Sequence, residues 1–195
     1  WIRIFMIQRV RDKMDKIKGD TFVDAYLIGS IKSLNIRVDQ RDKKSLNIIQ
    51  KHIGIELPSV QKAIERNSLT LCWVSNDEYL LLSEKKENER LLSEFQKQMN
   101  LTTGLAEDTT DLRSWFLIRG DRVQDVLRKG VPIDLSKLDL SEKNFLRTRL
   151  GEIQINILFK SLDEILVSVL RSHTDYMIEW FEVCTNCGTE INFDL

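Results

Sequence analysis

Residues 71–82 read LCWVSNDEYLLL, and the fold is decided by how this stretch is understood. Leu69, Leu71 and Trp73 alternate with Thr70, Cys72 and Val74, so a strand here has both faces at least partly covered. Ser75-Asn76-Asp77 is a turn-forming tripeptide, because short polar side chains bond their own backbone in turns. Tyr79 to Leu82 then resume an apolar run. Strand, polar turn and strand in immediate succession predict a β-hairpin.

Further along, the same pattern recurs. Ile153, Ile155, Ile157 and Phe159 alternate with Glu152, Gln154, Asn156 and Leu158. After a turn at Ser161-Leu162-Asp163, Ile165, Val167 and Val169 continue it, which predicts a second hairpin with one wet face. Trp115 to Ile118 is a short apolar run of the kind that forms a buried strand.

Helical spacing lies between these strands. Leu46, Ile49 and Ile53 recur at i, i+3 and i+7; Val123, Val126 and Leu127 at i, i+3 and i+4. Asp121 with Gln124 predicts a capping box for the latter helix. Leu91, Leu92, Phe95 and Met99 share one face of a charged segment at 86–99 that could separate two halves. Tyr176, Met177, Trp180 and Phe181 form the apolar face of a last helix, with Ser172 as the expected cap and Asp175 in its first turn. LNIIQKHIGIELP (46–58) and VQDVLRKGVPIDL (123–135) share a plan of helix, basic last turn, Gly stop and alternating apolar residues. Gly54 and Gly130 suit the left-handed position that ends a helix. The expected class is α+β: two related halves with mixed or antiparallel sheets and packed helices. The expected division is an extension at 1–21, a domain at 22–184 with halves of about 22–100 and 101–184, and a poorly ordered tail at 185–195.

Composition narrows the function. The 29 basic and 30 acidic residues give a net charge of −1, so no overall field favours nucleic acid or an anionic membrane. No apolar run reaches the ~18–20 residues of a membrane span. The N-terminus has its apolar residues before its basic ones, the reverse of a secretory signal, and residues 1–5 ahead of Met6 carry no weight. The three cysteines include only one close pair, so a reducing cytoplasm is expected.

The chemistry-bearing motifs are missing. There is no GxGxxG, no GxxxxGK[ST] and no GxSxG. His52 and His173 read as helix-end residues, and nothing in the sequence brings His173 to Cys184 as a dyad. Cys72 reads as a buried inert thiol. Cys184 and Cys187, in CTNCG, are half of a zinc ribbon without a second half; a tail, a redox pair or a metal site shared with a partner remain open. Asp77-Glu78, Glu107-Asp108 and Asp163-Glu164 fall at strand ends and turns, where acids are usually structural.

Three blocks together resemble one family. LPSVQKA (57–63) followed by LCWVSNDEYLLL is similar to the Asp-Glu-Trp-Leu-Leu hairpin of the sarcosine oxidase gamma subunit family, with Tyr79 where Trp is frequent and Asn76 where Pro is frequent. AEDTTDLRSWFLIRGDRVQDVLRKGVPIDL (106–135) is similar to its strand and G-x-x-A-x-x-vL-x-kG-x-x-iDL block, with Val123 at the small-residue position. VSVLRSHTDYMIEWF (167–181) resembles its closing v-x-RS strand and helix, carried by Arg171 and Ser172. The resemblance implies a fold like the folate-binding aminomethyltransferase (glycine cleavage T-protein) and its tRNA-modification relatives, although the KGC[YF]xGQ signature of the last is missing. It implies a non-catalytic subunit of a heterotetramer that demethylates sarcosine to glycine, passing the one-carbon unit to tetrahydrofolate and reducing oxygen to peroxide. FAD, FMN, NAD and tetrahydrofolate are then expected on the alpha and beta subunits and zinc on delta, with none bound by this chain. The expected interface residues are Trp73, Asp77, Glu78, Tyr79, Arg171 and Ser172, with Trp115 and Trp180 as further aromatic candidates; for each of the four aromatics the default is core packing. A free-standing folate-binding one-carbon protein is the competing expectation; it needs a deep pocket with a buried acid at Asp77, Glu78 or Asp111.

Overall fold

The computed structural model describes residues 14–29, 31–138 and 143–191, without the Lys86 side chain. Residues 1–13, and with them the expectation about residues 1–5, lie outside that range, as do residues 192–195 of the expected tail. Among the described residues eleven strands form two antiparallel sheets: β1 (Met14–Lys16), β2 (Asp24–Ile28), β3 (Lys32–Arg37), β4 (Ala63–Arg66), β5 (Leu69–Trp73), β6 (Glu78–Ser83), β7 (Leu105–Asp108), β8 (Arg113–Arg119), β9 (Phe145–Leu150), β10 (Ile153–Phe159) and β11 (Glu164–Leu170). Four α-helices accompany them among the described residues: α1 (Lys43–His52), α2 (Glu89–Met99), α3 (Val123–Arg128) and α4 (Thr174–Cys184). None of these helices is long and apolar enough to cross a membrane. The α+β class is as expected, with antiparallel sheets throughout.

The chain divides into a unit of residues 31–111 and a unit that joins residues before 31 to those from 112 on. The division does not fall near residue 100, because β2, before the 31–111 unit, pairs with β8, after it, Asp24 opposite Arg119 and Ile28 opposite Trp115. Nor does the charged segment at 86–99 separate halves. It becomes α2 and buries Leu92, Phe95 and Met99 inside the first unit, leaving Leu91 at the surface.

Each unit has its own core. In residues 31–111, the sheet order β4-β5-β6-β3-β7 turns Leu34, Ile36, Leu69, Leu71, Tyr79 and Leu81 towards Ile49, Ile53, Leu92 and Phe95. In the second unit, the order β1-β2-β8-β11-β10-β9 turns Phe116, Ile118, Ile155, Ile157, Val167 and Val169 towards Val126, Leu127, Met177 and Phe181. Each large side chain so buried is worth about 1.5–3 kcal/mol in transfer from water.

The two units repeat one plan. The first runs β3, α1, the β4–β6 meander and α2, with β7 beside β3. The second runs β8, α3, the β9–β11 meander and α4, with β2 taking the place beside β8. The likeness reaches single hydrogen bonds. In the β5–β6 turn the amides of Val74 and Ser75 both donate to the Glu78 carbonyl at 3.0 Å, and the Ser75 hydroxyl donates to Asp77. In the β10–β11 turn the amides of Lys160 (3.0 Å) and Ser161 (3.1 Å) donate to the Glu164 carbonyl, and the Ser161 hydroxyl donates to Asp163. The Asp77 and Asp163 carbonyls each accept a 2.9 Å bond, from the amides of Val38 and Gly120. Arg37 of β3 pairs with Glu78 at 3.3 Å, as Arg119 of β8 pairs with Glu164 at 2.6 Å.

Four local expectations are corrected. The second hairpin has no wholly wet face: Asn156, Leu158, Leu166 and Ser168 are all buried. Asp121 caps nothing; α3 starts at Val123 after Arg122, and its first turn instead carries Asp125, which pairs with Arg122 and Arg128. Ser172 does not cap α4, because a 3-10 turn at Arg171–His173 delays the helix, and the Thr174 hydroxyl bonds the Arg171 carbonyl at 2.7 Å. Gly54 has the left-handed φ of 70°, but Gly130 does not; a Cβ there would sit 3.1 Å from Leu150 and 3.2 Å from Trp180, so close packing is what Gly130 serves.

Residues 185–191 are not a loose tail. The Phe22 amide donates to the Thr185 carbonyl (3.0 Å) and the Cys187 amide to the Asp20 carbonyl (2.8 Å). Lys129 Nζ reaches the Cys184 carbonyl at 2.6 Å and Thr189 Oγ1 at 2.7 Å, and stands 5.0 Å from the centre of the Phe22 ring. Arg122 adds a 3.3 Å bond to the Ile191 carbonyl.

Two devices protect the first sheet. The outer edge of β7 is closed by Asn100, whose side chain accepts from the Ala106 amide (2.7 Å) and donates to its carbonyl (3.1 Å). The β4–β5 hairpin turns through Asn67 (φ 53°) and Ser68 (φ 62°), a two-residue loop of the type I′ kind that prefers Asn-Gly. Ser68→Gly removes the strain of a side chain at positive φ and is expected to raise stability by about 0.5–1 kcal/mol, read as a higher urea midpoint at unchanged slope.

Candidate functional site

The RVDQRD run at 37–42 joins β3 to α1, and it borders an open cleft of about 740 Å³ lined by Arg37, Val38, Asp39, Gln40, Arg41, Asn76, Asp77 and Thr103. The hairpin turn brings Asp77 and Glu78 to one end of β3. There Arg37 donates to Asp77 at 2.9 Å and to Glu78 at 3.3 Å. This bond, helped by the Ser75 hydroxyl, holds the Asp77 carboxyl below its usual range, and Asp77 in turn raises the Arg37 guanidinium.

Beneath them, Tyr79 is wholly buried and its phenol oxygen accepts from Gln40 Nε2 at 2.8 Å. Burial pushes its ionisation up. Gln40 also donates to the Asn76 carbonyl at 3.1 Å, so one side chain ties the turn to the β3–α1 connection. Asp39 is gripped by Arg41 through Nη2 at 2.8 Å and the backbone amide at 2.9 Å, and is held down to about 2. Asp42 caps α1 through the Lys44 amide at 3.0 Å and accepts from Ser45 and Thr103; those two hydroxyls hold it down to about 2 as well.

Asp39, Asp42 and Asp77 are thus each held in the ionised form by a neighbour. A general acid or base needs an ionisation near working pH, and these three carboxyls ionise well below it. Because Asp39 and Asp42 ionise more easily folded than unfolded, their contribution is complete above the unfolded value of about 4 and is lost as pH falls towards 2. The urea midpoint is therefore expected to be flat above pH ~5 and to fall below it, and Asp42→Asn is expected to flatten that fall. An equally steep fall in the variant would remove Asp42 from the cause.

The expected interface residues are divided between the units. Asp77 and Glu78 stand together with Arg37 at the cleft, Asp77 exposed and Glu78 largely covered. Trp73 lies opposite Tyr79 in the β5–β6 pair and is half-buried against the first core. Tyr79 is core, not surface, because its alternation partner Leu81 faces the same way. Arg171 and Ser172 are exposed on the turn before α4, in the other unit. Trp115 is buried and Trp180 packs on Phe181, edge to face at 5.3 Å. Cys72 is buried, and burial pushes its thiol up. Cys184 is half-buried at the end of α4 and Cys187 is exposed. Among the described residues no three His, Cys, Asp or Glu side chains converge as metal ligands would. What the sequence hid was Arg37, Gln40, Arg41 and Thr103; the density of charge in RVDQRD was the one signal for them.

No family model matches the sequence, and no curated protein matches it. Solved structures do. A chain of the heterotetrameric sarcosine oxidase from Corynebacterium sp. U-96, solved in complex with pyrrole 2-carboxylate, superposes with a TM-score of 0.78 over 91% of this chain and 91% of its own, at 20% identity. The chain shares its fold with a sarcosine oxidase chain. The glycine cleavage system aminomethyltransferase T of Bartonella henselae follows with a TM-score of 0.56 at 11% identity, over 77% of this chain and 42% of that one. The implied folate-binding, aminomethyltransferase-like architecture is therefore the one observed, end to end in the sarcosine oxidase chain and over less than half the length of the transferase.

Proposed function

We propose that this chain is a non-catalytic, gamma-type subunit of a cytoplasmic heterotetrameric oxidase that demethylates sarcosine or a related N-methyl amine. The observation that carries the proposal is the end-to-end likeness to a sarcosine oxidase chain, with nine-tenths of both chains covered. The cleft adds to it, because Asp39 and Asp77 in its lining and Asp42 beside it are held ionised by Arg41, Arg37, Ser45 and Thr103. In this reading alpha, beta and delta subunits are the partners, and they carry FAD, FMN, NAD, tetrahydrofolate and zinc. Asp77, Glu78, Trp73, Arg171 and Ser172 remain the proposed contact residues.

Affinity capture of the tagged chain from its native organism tests this. The expected result is stoichiometric recovery of larger chains with flavin absorbance and sarcosine-dependent peroxide formation. Recovery of a monomer that never joins a flavin-bearing chain would overturn it. The likeness to aminomethyltransferase T supports the competing folate-binding reading. That reading predicts a tetrahydrofolate titration heat from the isolated chain, yet Asp77 and Asp111 are exposed and Glu78 is paired with Arg37.

A further inference from the structure

The repeated plan differs between the units at one corner, and in the first unit that corner is the Arg37 cleft. Asp24 opens β2 opposite Arg119, as Leu105 opens β7 opposite Arg37. Two residues ahead of those strands, Phe22 therefore matches Thr103. The β8–α3 connection (120–122) matches the β3–α1 connection (38–42), because the Gly120 and Val38 amides make the same 2.9 Å bond, to the Asp163 and Asp77 carbonyls.

In the second unit the chain itself covers this corner. Residues 185–191 run on past α4 beside residues 20–22, with Thr21 and Asn186 forming a bridge and the Phe22 amide donating to the Thr185 carbonyl. Cations then receive the main chain of the segment: Lys129 bonds the Cys184 carbonyl, and Arg122 the Ile191 carbonyl at 3.3 Å. Arg122 does this while its Nε bonds Asp125 at 2.8 Å. An arginine already paired with a carboxylate thus keeps donors for a main-chain carbonyl.

In the first unit the matching corner is open. α2 ends at Met99 and β7 begins at Leu105, so the chain turns straight into the sheet through residues 100–104. The β3–α1 connection is five residues long where its counterpart has three, and the cleft of about 740 Å³ lies against it. Arg41 stands on this connection as Arg122 stands on the other. Its Nε (3.1 Å) and Nη2 (2.8 Å) hold Asp39, and its side chain is 90% exposed.

Small-molecule pockets are lined mainly by apolar side chains, whereas Val38 is the one apolar residue in this lining. Arg41 and Asn76 offer donors there, and the half-exposed Asp39 and Asp77 carboxylates offer acceptors. An extended main chain presents carbonyls and amides along the same edge, so it uses both kinds. Leu101 and Leu105, two residues to either side of Thr103, are 79% and 41% exposed and add apolar surface for side chains.

We infer that the Arg37 cleft is a docking groove for an extended segment of a partner polypeptide. The segment meets the β3–α1 connection as residues 185–191 meet the β8–α3 connection, with Arg41 donating to one of its carbonyls. Such docking needs a partner chain and is independent of the oxidase chemistry proposed above.

The test uses the tagged full chain in its native organism, carrying the photo-crosslinking residue p-benzoylphenylalanine in place of Asn76, of Thr103 or, as a control, of Val183 on α4. The first two positions are expected to crosslink to one and the same segment of one other protein, and the third not to reach it. A synthetic peptide of that segment, titrated into the isolated full chain, is expected to bind and to lose about tenfold in affinity with Arg41→Gln, whose circular dichroism stays that of the unaltered chain. A crosslinked partner without flavin supports the groove and overturns the oxidase reading; a flavin-bearing one supports both. No crosslink from either cleft position, crosslinks to unrelated segments or to a second copy of this chain, or a peptide affinity unmoved by Arg41→Gln overturns the groove.

Discussion

Replacing Phe181 by alanine is expected to lower the unfolding free energy by about 3–5 kcal/mol, the range for deleting a fully buried aromatic. Phe181 has no exposed surface, sits 5.2 Å from the Phe116 ring and 5.3 Å from that of Trp180, and fixes α4 on the second sheet. The loss has two parts. The ring no longer leaves water on folding, and the space it vacates is bounded by Phe116, Met177 and the strands of β8 and β11, which can collapse only partly. The Thr185 amide and hydroxyl both bond the Phe181 carbonyl, so a shift of α4 is passed to the segment at 185–191. Thermal unfolding should fall by on the order of 10 °C for a chain of this size. Val183→Ala on the same helix, at a side chain 65% exposed, should stay within about 0.5 kcal/mol. Equal losses from both variants would mean that α4 is not anchored through Phe181.

What could be seen in advance follows from how far apart the deciding residues lie in sequence. Both hairpins were legible because alternation and the turn residues at Ser75–Asp77 and Ser161–Asp163 are local. The likeness of 46–58 to 123–135 was legible for the same reason, and it marks the repeat that the sheet orders display in full. Alternation reports which residues share a face, and it does not report what lies over that face; hence Asn156 and Ser168 were expected in water and are buried. The caps failed at Asp121 and Ser172 because tight turns at Arg122 and Arg171–His173 delay each helix by one or two residues. The boundary between the units failed because it rests on β2 crossing to β8, a pairing that no local pattern announces.

The candidate site divides on the same principle. Asp77 and Glu78 were visible as turn acids, yet their partner Arg37 lies 40 and 41 residues away and meets them only through β3–β6 pairing. Tyr79 stood beside two acids as an interface candidate whose default was core packing. The register sets it on the core face with Leu81, and Gln40, 39 residues away, satisfies its hydroxyl. Turn chemistry thus marked Asp77 and Glu78, and strand pairing determined their ion pair with Arg37 at the cleft.

Gly120→Ala is expected to cost about 2–6 kcal/mol, the sum of two separable terms. Gly120 adopts φ +144°, a backbone region where L side chains are strained by about 1–3 kcal/mol. Its missing side chain also leaves room for Val23: a Cβ would stand 2.8 Å from Val23 Cγ1, 3.1 Å from Cβ and 3.3 Å from Cα. Val23 is buried just before β2, and its backbone cannot retreat without pulling Asp24 from its place opposite Arg119, so overpacking adds about 1–3 kcal/mol. Gly188→Ala isolates the first term. Gly188 also has positive φ, at 86°, but nothing lies within 4 Å of where its Cβ would be. Urea unfolding of the two variants should therefore differ by the packing term, with Gly120→Ala the less stable. Equal losses would show that Val23 yields freely, and that β2 is held to β8 more loosely than its register with Arg119 and Ile118 implies.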